Sequence, residues 1–204
     1  MVGLMGGTFN PIHYGHLLMC ESIREEFGLR KIVFIPARIP PHKTDREIID
    51  PMDRLRMVEL AIVDNPYFEL SDIEIRRNGP SYTVDTLKEF RRIYGPEELF
   101  FITGADSLVQ LHTWREYKQI FSLCKIIVAR RPDTDDNLLN EYILKYKNDF
   151  GAEIFVSRHK AMDYSSTEIR ERVKSGASIR YRTPAVVEAY IYKRGLYRSE
   201  NVSV

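Results

Sequence analysis

The chain has 204 residues, with 30 Lys and Arg against 29 Asp and Glu and a formal net charge of +1. That length accommodates one substantial core, and the balanced charge carries no basic field of the kind that draws nucleic acid or a membrane surface, so the expected partner is a small molecule. No apolar run approaches bilayer length and no charged start precedes a long apolar stretch, so a cytoplasmic protein is expected. Cys20 and Cys124 lie far apart, each in an apolar setting, as two buried thiols of a reducing compartment would.

The first element is a short apolar run, Val2 to Met5, which reads as a buried strand. Gly6 and Gly7 follow and let a ligand approach the main chain without meeting a Cβ. Beyond Thr8, Phe9, Asn10 and Pro11, residues His16, Cys20, Ile23 and Phe27 share one helix face, and Gly28 marks its end. His16 therefore sits in the first turn, where unpaired N–H groups and about half a positive charge favour an anion. His13 and His16 add two donors, so Gly6 to His16 reads as a phosphate cradle. Two imidazoles without a nearby Cys or carboxylate make too few ligands for a closed zinc site, and no protein-held metal is expected.

Lys31 to Pro36 is a continuous apolar run, the pattern of a strand covered on both faces. The polar loop from Ala37 to Asp50 follows, with Lys43 suited to a phosphate; a plain solvated loop has the same composition. Asp50-Pro51 opens a helix whose expected inward stripe is Met52, Leu55, Val58 and Ile62. Phe68 to Ile75 reads as an edge strand, and Arg77 to Thr83 as a turn into a helix that buries Leu87, Phe90 and Tyr94 and stops at Gly95-Pro96. The start of that helix, at Tyr82 and Thr83, suits a second anion such as a carboxylate, or only an N-cap.

Leu99 to Thr103 is the next buried strand and ends at Gly104-Ala105-Asp106. Asp106 is placed to accept from ribose hydroxyls or to cap a helix. Trp114, the single Trp, stands in a polar setting where it either stacks on a flat ring or fills partial core. Lys125 to Ala129 is a fifth strand, a peripheral helix is placed near Leu138 to Tyr146, and Glu153 to Ser157 is a sixth strand. At Ser165-Ser166-Thr167-Glu168-Ile169-Arg170, Ser165 and Glu168 have capping-box spacing, and the hydroxyls with Arg170 present donors fit for an oligophosphate. Thr183-Pro184 opens a last helix that buries Val187, Tyr190 and Ile191 and closes at Gly195. Strand and helix alternate throughout, which predicts an α/β, doubly wound, mostly parallel sheet.

Together these residues resemble the nucleotidyltransferase superfamily with the paired-histidine motif, here His13-Tyr14-Gly15-His16, and its second motif at Ser165 to Arg170. With Gly6 to Pro11, Ile39 to Lys43, Gly79 to Thr83, Gly104 to Asp106 and Trp114 in this order, the chain is more closely similar to the bacterial nicotinate-nucleotide adenylyltransferase family. The resemblance implies a Rossmann-like domain over residues 1–197, and the terminal tail at 198–204 is expected to be mobile. It also implies transfer of AMP from ATP, with Mg²⁺ on its phosphates, to nicotinate mononucleotide, releasing pyrophosphate.

Carried over by position, His13, His16, Lys43 and Arg170 are the catalytic residues. Gly6, Gly7, Thr8, Phe9, Gly104, Asp106, Ser165, Ser166 and Thr167 join the two histidines and Arg170 around ATP. Lys43, Tyr82, Thr83, Trp114 and Arg131 take the mononucleotide. Two alternatives remain: a pantetheine-phosphate adenylyltransferase, which shares both end motifs, and a nucleotide-binding sensor without chemistry. The sequence leaves the oligomeric state open, self-association included.

Overall fold

The computed structural model describes residues 1–41, 48–95, 98–130, 132–160 and 162–198. Six strands form one sheet in the order β3-β2-β1-β4-β5-β6, and every pairing is parallel. They are β1 (Val2–Gly7), β2 (Lys31–Pro36), β3 (Phe68–Leu70), β4 (Leu99–Gly104), β5 (Lys125–Ala129) and β6 (Ile154–Val156). The helices are α1 (Tyr14–Glu26), α2 (Pro51–Ile62), α3 (Ile73–Arg76), α4 (Thr83–Tyr94), α5 (Ala105–Val109), α6 (Tyr117–Leu123), α7 (Asp136–Phe150), α8 (Ser166–Lys174) and α9 (Ala185–Arg194).

The continuous apolar runs of the central strands follow from this layering. Ile32 and Phe34 of β2, Phe100 and Ile102 of β4 and Ile127 of β5 face one core, which α1, α2, α8 and α9 complete. Val33, Ile35, Leu99, Phe101, Ile126 and Val128 face the other, with residues of α4, α5, α6 and α7. With both faces dry, no polar alternation survives in the sequence. Strand order reverses between β1 and β4, and the crevice at the carboxyl ends of these two strands is where a sheet of this kind binds ligands.

Two expectations are corrected. The edge strand read over Phe68 to Ile75 is only three residues long, and Ile73–Arg76 is a helical turn. On the side of β2 that faces β3, Ile32 N–H donates to Tyr67 and Ser71 N–H to Phe34. The next donor along that side would be Pro36, which has no N–H, so the ladder stops. In α2, Met52 is 58% exposed, and the buried stripe is Asp53, Arg54, Met57, Val58, Ala61 and Ile62. The stripe is anchored on a charged residue, which a count of apolar positions passes over.

Helix α7 is longer than expected, with Asp135 accepting from the N–H groups of Asn137 and Leu138 at its start. The short elements α5 and α6 and the 3₁₀ turn Gln110–Thr113 between them had no periodic signal to announce them. Tyr197 is buried in the core, while residues 199–204, where most of the expected tail falls, lie outside the described residues. No helix among the described residues is long and apolar enough to cross a membrane.

Cys20 and Cys124 are both buried free thiols. Burial raises the Cys20 thiol far above its ordinary range and pushes Cys124 up to about 12. Since the thiolate is the reactive form, neither is expected to react with an aromatic disulfide reagent at pH 8 in the native protein, and both are expected to react in denaturant. A fast native-state titration of either thiol would contradict the packing.

Candidate active site

Strand β1 ends on Gly6-Gly7, and the chain turns through Thr8, Phe9, Asn10 and Pro11 into the start of α1. Phe9 takes a positive φ of 49° and folds its ring beneath the loop, edge-on to His16 at 5.2 Å and against Phe34 at 5.9 Å. Gly7 makes room for that ring, since a Cβ there would lie 2.8 Å from Phe9 Cζ. His13 is the N-cap of α1 and is buried. Its backbone N–H donates to His16 Nδ1 at 3.3 Å, and the two imidazoles stack at 3.7 Å. With Nδ1 accepting, the neutral His16 ring carries its proton on Nε2 and holds a donor ready for a ligand.

The carbonyls of this loop are secured from behind by side chains of two other helices, α2 and α8, and of the segment before α9. Thr8 O accepts from Arg54 Nη1 at 2.8 Å, Asn10 O from Arg170 Nη1 at 3.1 Å, Pro11 O from Ser166 Oγ at 2.8 Å and Ile12 O from Thr183 Oγ1 at 2.8 Å. Tyr197 Oη donates to Asn10 Oδ1 at 3.0 Å. The loop is thus fixed by residues up to 187 positions away in sequence, and these four carbonyls are already engaged, as suits a cradle for an anion.

The second motif is brought to the same place. Ser165 caps α8, its Oγ accepting from Glu168 N–H, and the ring of Tyr164 stacks 6.2 Å from His13. Arg170, buried one turn into α8, reaches Thr167 Oγ1 with Nη2 at 3.4 Å. A cavity of about 570 Å³ lies between the two stretches; Thr8, Phe9, His13, His16, Gly104, Ser165, Ser166, Thr167 and Arg170 are among its lining residues. Nine of the predicted site residues therefore meet in one crevice at the expected end of the sheet.

Gly15 stands where the two stretches touch. A Cβ at this position would lie 2.8 Å from Tyr164 Cβ and 3.0 Å from His13 Nδ1. Neither neighbour is the tip of a flexible chain, so Gly15→Ala is expected to force the two stretches apart and destabilise the fold by about 1–3 kcal/mol. Denaturant unfolding of the variant measures this, and an unchanged midpoint would contradict the close approach.

The remaining predicted residues stand elsewhere. Gly6 and Gly7 end β1 and Asp106 is exposed in the first turn of α5; these three do not line the cavity. Tyr82, the N-cap of α4, packs with Trp114 against the second core, and Thr83 is the first residue of that helix. Trp114 is edge-on to Phe101 at 6.2 Å, and Arg115 lies over the Tyr82 ring at 4.7 Å. Lys43 and Arg131 lie outside the described residues.

Sequence reasoning missed several residues that the folded chain brings in, four of them informative. Arg130, Tyr164 and His159 line the cavity, and burial holds the His159 imidazole below its ordinary pKa. Arg54 holds the loop from beneath. Tyr164 and Arg130 each adjoin a motif already singled out, a signal within reach; Arg54 and His159 carried none. Among the described residues no group of three or more His, Cys, Asp or Glu is placed to hold a metal ion.

The model of the cytidylyltransferase-like family matches residues 4–172. A curated relative from Thermoanaerobacter sp. (strain X514), named "Probable nicotinate-nucleotide adenylyltransferase", is 44% identical over 200 residues, covering 98% of this chain and 95% of its own. A relative of the same name from Desulfitobacterium hafniense (strain Y51) is 49% identical over 201 residues, with 97% and 95% covered. The solved Plasmodium falciparum nicotinic acid mononucleotide adenylyltransferase complexed with NaAD shares the fold with a TM-score of 0.79, at 19% identity and 96% coverage of both chains. With the paired histidines and the Ser165 to Arg170 helix start closing on one crevice, and with the family model spanning both, the chain belongs to the cytidylyltransferase-like family, within the group of its nicotinate-nucleotide adenylyltransferase relatives.

Proposed function

We propose that the protein transfers AMP from ATP to nicotinate mononucleotide, forming nicotinate adenine dinucleotide and pyrophosphate. One observation carries this reading: Arg170 and Ser166 of the second motif hydrogen-bond the carbonyls of Asn10 and Pro11, so both phosphate-binding stretches open on one cavity. The names of the relatives supply the acceptor, and they favour nicotinate mononucleotide over the pantetheine alternative. Both histidines and Arg170 being in place also weighs against a sensor without chemistry.

In this reading an oxygen of the mononucleotide phosphate attacks the α-phosphorus of ATP. The bond from that phosphorus to the bridging oxygen of the β-phosphate breaks, and pyrophosphate leaves with the electron pair. The nucleophile is already an anion, so no general base is required. The protein's part is to align the two phosphates and to stabilise charge moving onto the leaving group.

His13 and His16 face the ATP phosphates, Ser166, Thr167 and Arg170 take the β and γ phosphates, and Asp106 the adenosine ribose. Tyr82 and Thr83 receive the pyridine carboxylate at the start of α4, Trp114 stacks on the ring, Lys43 serves the mononucleotide phosphate, and Arg131 joins them around the mononucleotide. The donor is the magnesium complex of ATP, the ion arriving on the substrate phosphates. A cytoplasmic setting, where both nucleotides are at hand, completes the reading. Pyrophosphate release with ATP and each of nicotinate mononucleotide, nicotinamide mononucleotide and phosphopantetheine tests it. Release with phosphopantetheine but not with nicotinate mononucleotide would overturn it.

A further inference from the structure

The described residues hold two buried carboxylates, Asp53 and Glu74. Asp53 is explained by the docking of α9, since it accepts from Tyr190 Oη at 2.7 Å and from Arg194 Nε at 3.2 Å. Glu74, 6% exposed on the short helix α3, faces hydroxyls instead. Thr86 Oγ1 donates to its Oε1 at 2.6 Å, and the Ser81 hydroxyl is a second partner.

Ser81 and Thr86 bracket Tyr82 and Thr83, one just before the start of α4 and one in its first turn. The charged groups around them hold the same frame: Arg77, which also attracts the Glu74 carboxylate electrostatically, bonds Thr86 Oγ1 through Nη2 at 2.8 Å and Glu89 through Nη1 at 2.8 Å. Arg38 reaches Asn78 Oδ1 and the carbonyls of Ile75 and Arg77 with Nη1, and its backbone N–H donates to Ser81 Oγ at 2.9 Å. Without Glu74, the Thr86 hydroxyl would turn to its other acceptor, Tyr82 O at 3.3 Å, and Ser81 would lose its inward partner.

We infer that Glu74 is a positioning residue for the acceptor side of the site: it holds the start of α4 from both ends and so sets the geometry of the seat for the pyridine ring and its carboxylate. This rests on the functional reading above, which places the mononucleotide at Tyr82 and Thr83. Glu74 touches no substrate, and the donor cavity does not include it.

The test is a steady-state comparison of wild type, Glu74→Ala, Glu74→Gln and Thr86→Val, with each substrate varied in turn. Glu74→Ala and Thr86→Val are expected to raise KM for nicotinate mononucleotide about tenfold or more while KM for ATP stays within about twofold, the split produced by loss of binding on one side only. Glu74→Gln, which keeps one oxygen acceptor in the same shape, is expected to restore most of that KM. Unchanged KM values in Thr86→Val, or a parallel rise in both KM values across the folded variants, would overturn the inference. Should Glu74→Ala fail to fold, the Gln and Val variants decide by the same criterion. A wild type that releases no pyrophosphate with nicotinate mononucleotide would instead overturn the functional reading itself.

Discussion

Replacing His16 with alanine is expected to lower the rate of the chemical step by about 10²-fold or more, the scale of removing one preorganised donor from a transition state. The ring is held in three ways: its Nδ1 accepts from His13 N–H, its face stacks on His13 at 3.7 Å, and the Phe9 ring meets it at 5.2 Å. This support fixes the tautomer and direction of the Nε2 donor in advance, so in the proposed reaction stabilising the departing pyrophosphate would need no rearrangement. Because His16 is only partly buried at the cavity wall, its loss should leave folding nearly intact. Single-turnover measurement at saturating ATP and mononucleotide separates chemistry from binding. A rate within about threefold of wild type would place the transition-state charge elsewhere.

The largest effect on stability is expected at Arg54. It is fully buried, and its guanidinium donates to three main-chain carbonyls: Thr8 at 2.8 Å, Arg38 at 3.1 Å and Ile49 at 3.2 Å. These belong to the loop between β1 and α1, the segment after β2 and the entry to α2, so one side chain ties three separate stretches together. Burial pulls the guanidinium below its ordinary pKa, but from so high a starting value that it stays protonated at neutral pH.

Arg54→Met keeps much of the aliphatic stem and leaves three partly buried carbonyls without their charged donor, each bond worth about 1.5–3 kcal/mol. Relief from burying a charge offsets part of this. A net loss of about 3 kcal/mol is expected, which lowers the thermal midpoint by roughly 6–12 °C for a chain of this size. Thermal unfolding followed by circular dichroism checks it, and a midpoint within about 2 °C of wild type would show that the three carbonyls find other donors.

The contrast between these two residues explains how far the sequence could be read. His16 stands beside two glycines at a strand-to-helix junction, where residue type and local spacing already suggest anion binding. Arg54 lies inside an amphipathic helix, and its role depends on three carbonyls contributed by loops 5 to 46 residues away. Long apolar strands such as Lys31–Pro36 and Lys125–Ala129 were legible to the residue because both faces are dry. Strand β3 was overextended because its end is set by Pro36 on a neighbouring strand, information that the local pattern at Phe68 to Ile75 does not contain. Glu74 fell in that stretch, read as an edge strand, and the structure buries it on a helical turn instead. Lys43 and Arg131 remain readings from sequence and resemblance.

The account turns on a single nucleotide being held by two stretches of chain that are remote in sequence. A crystal structure with a non-hydrolysable ATP analogue tests it most directly. The account predicts triphosphate oxygens within about 3 Å of both His16 Nε2 and the Arg170 guanidinium, inside the cavity between α1 and α8. A triphosphate bound to one of these residues with the other turned away, or seated in a different crevice, would contradict it.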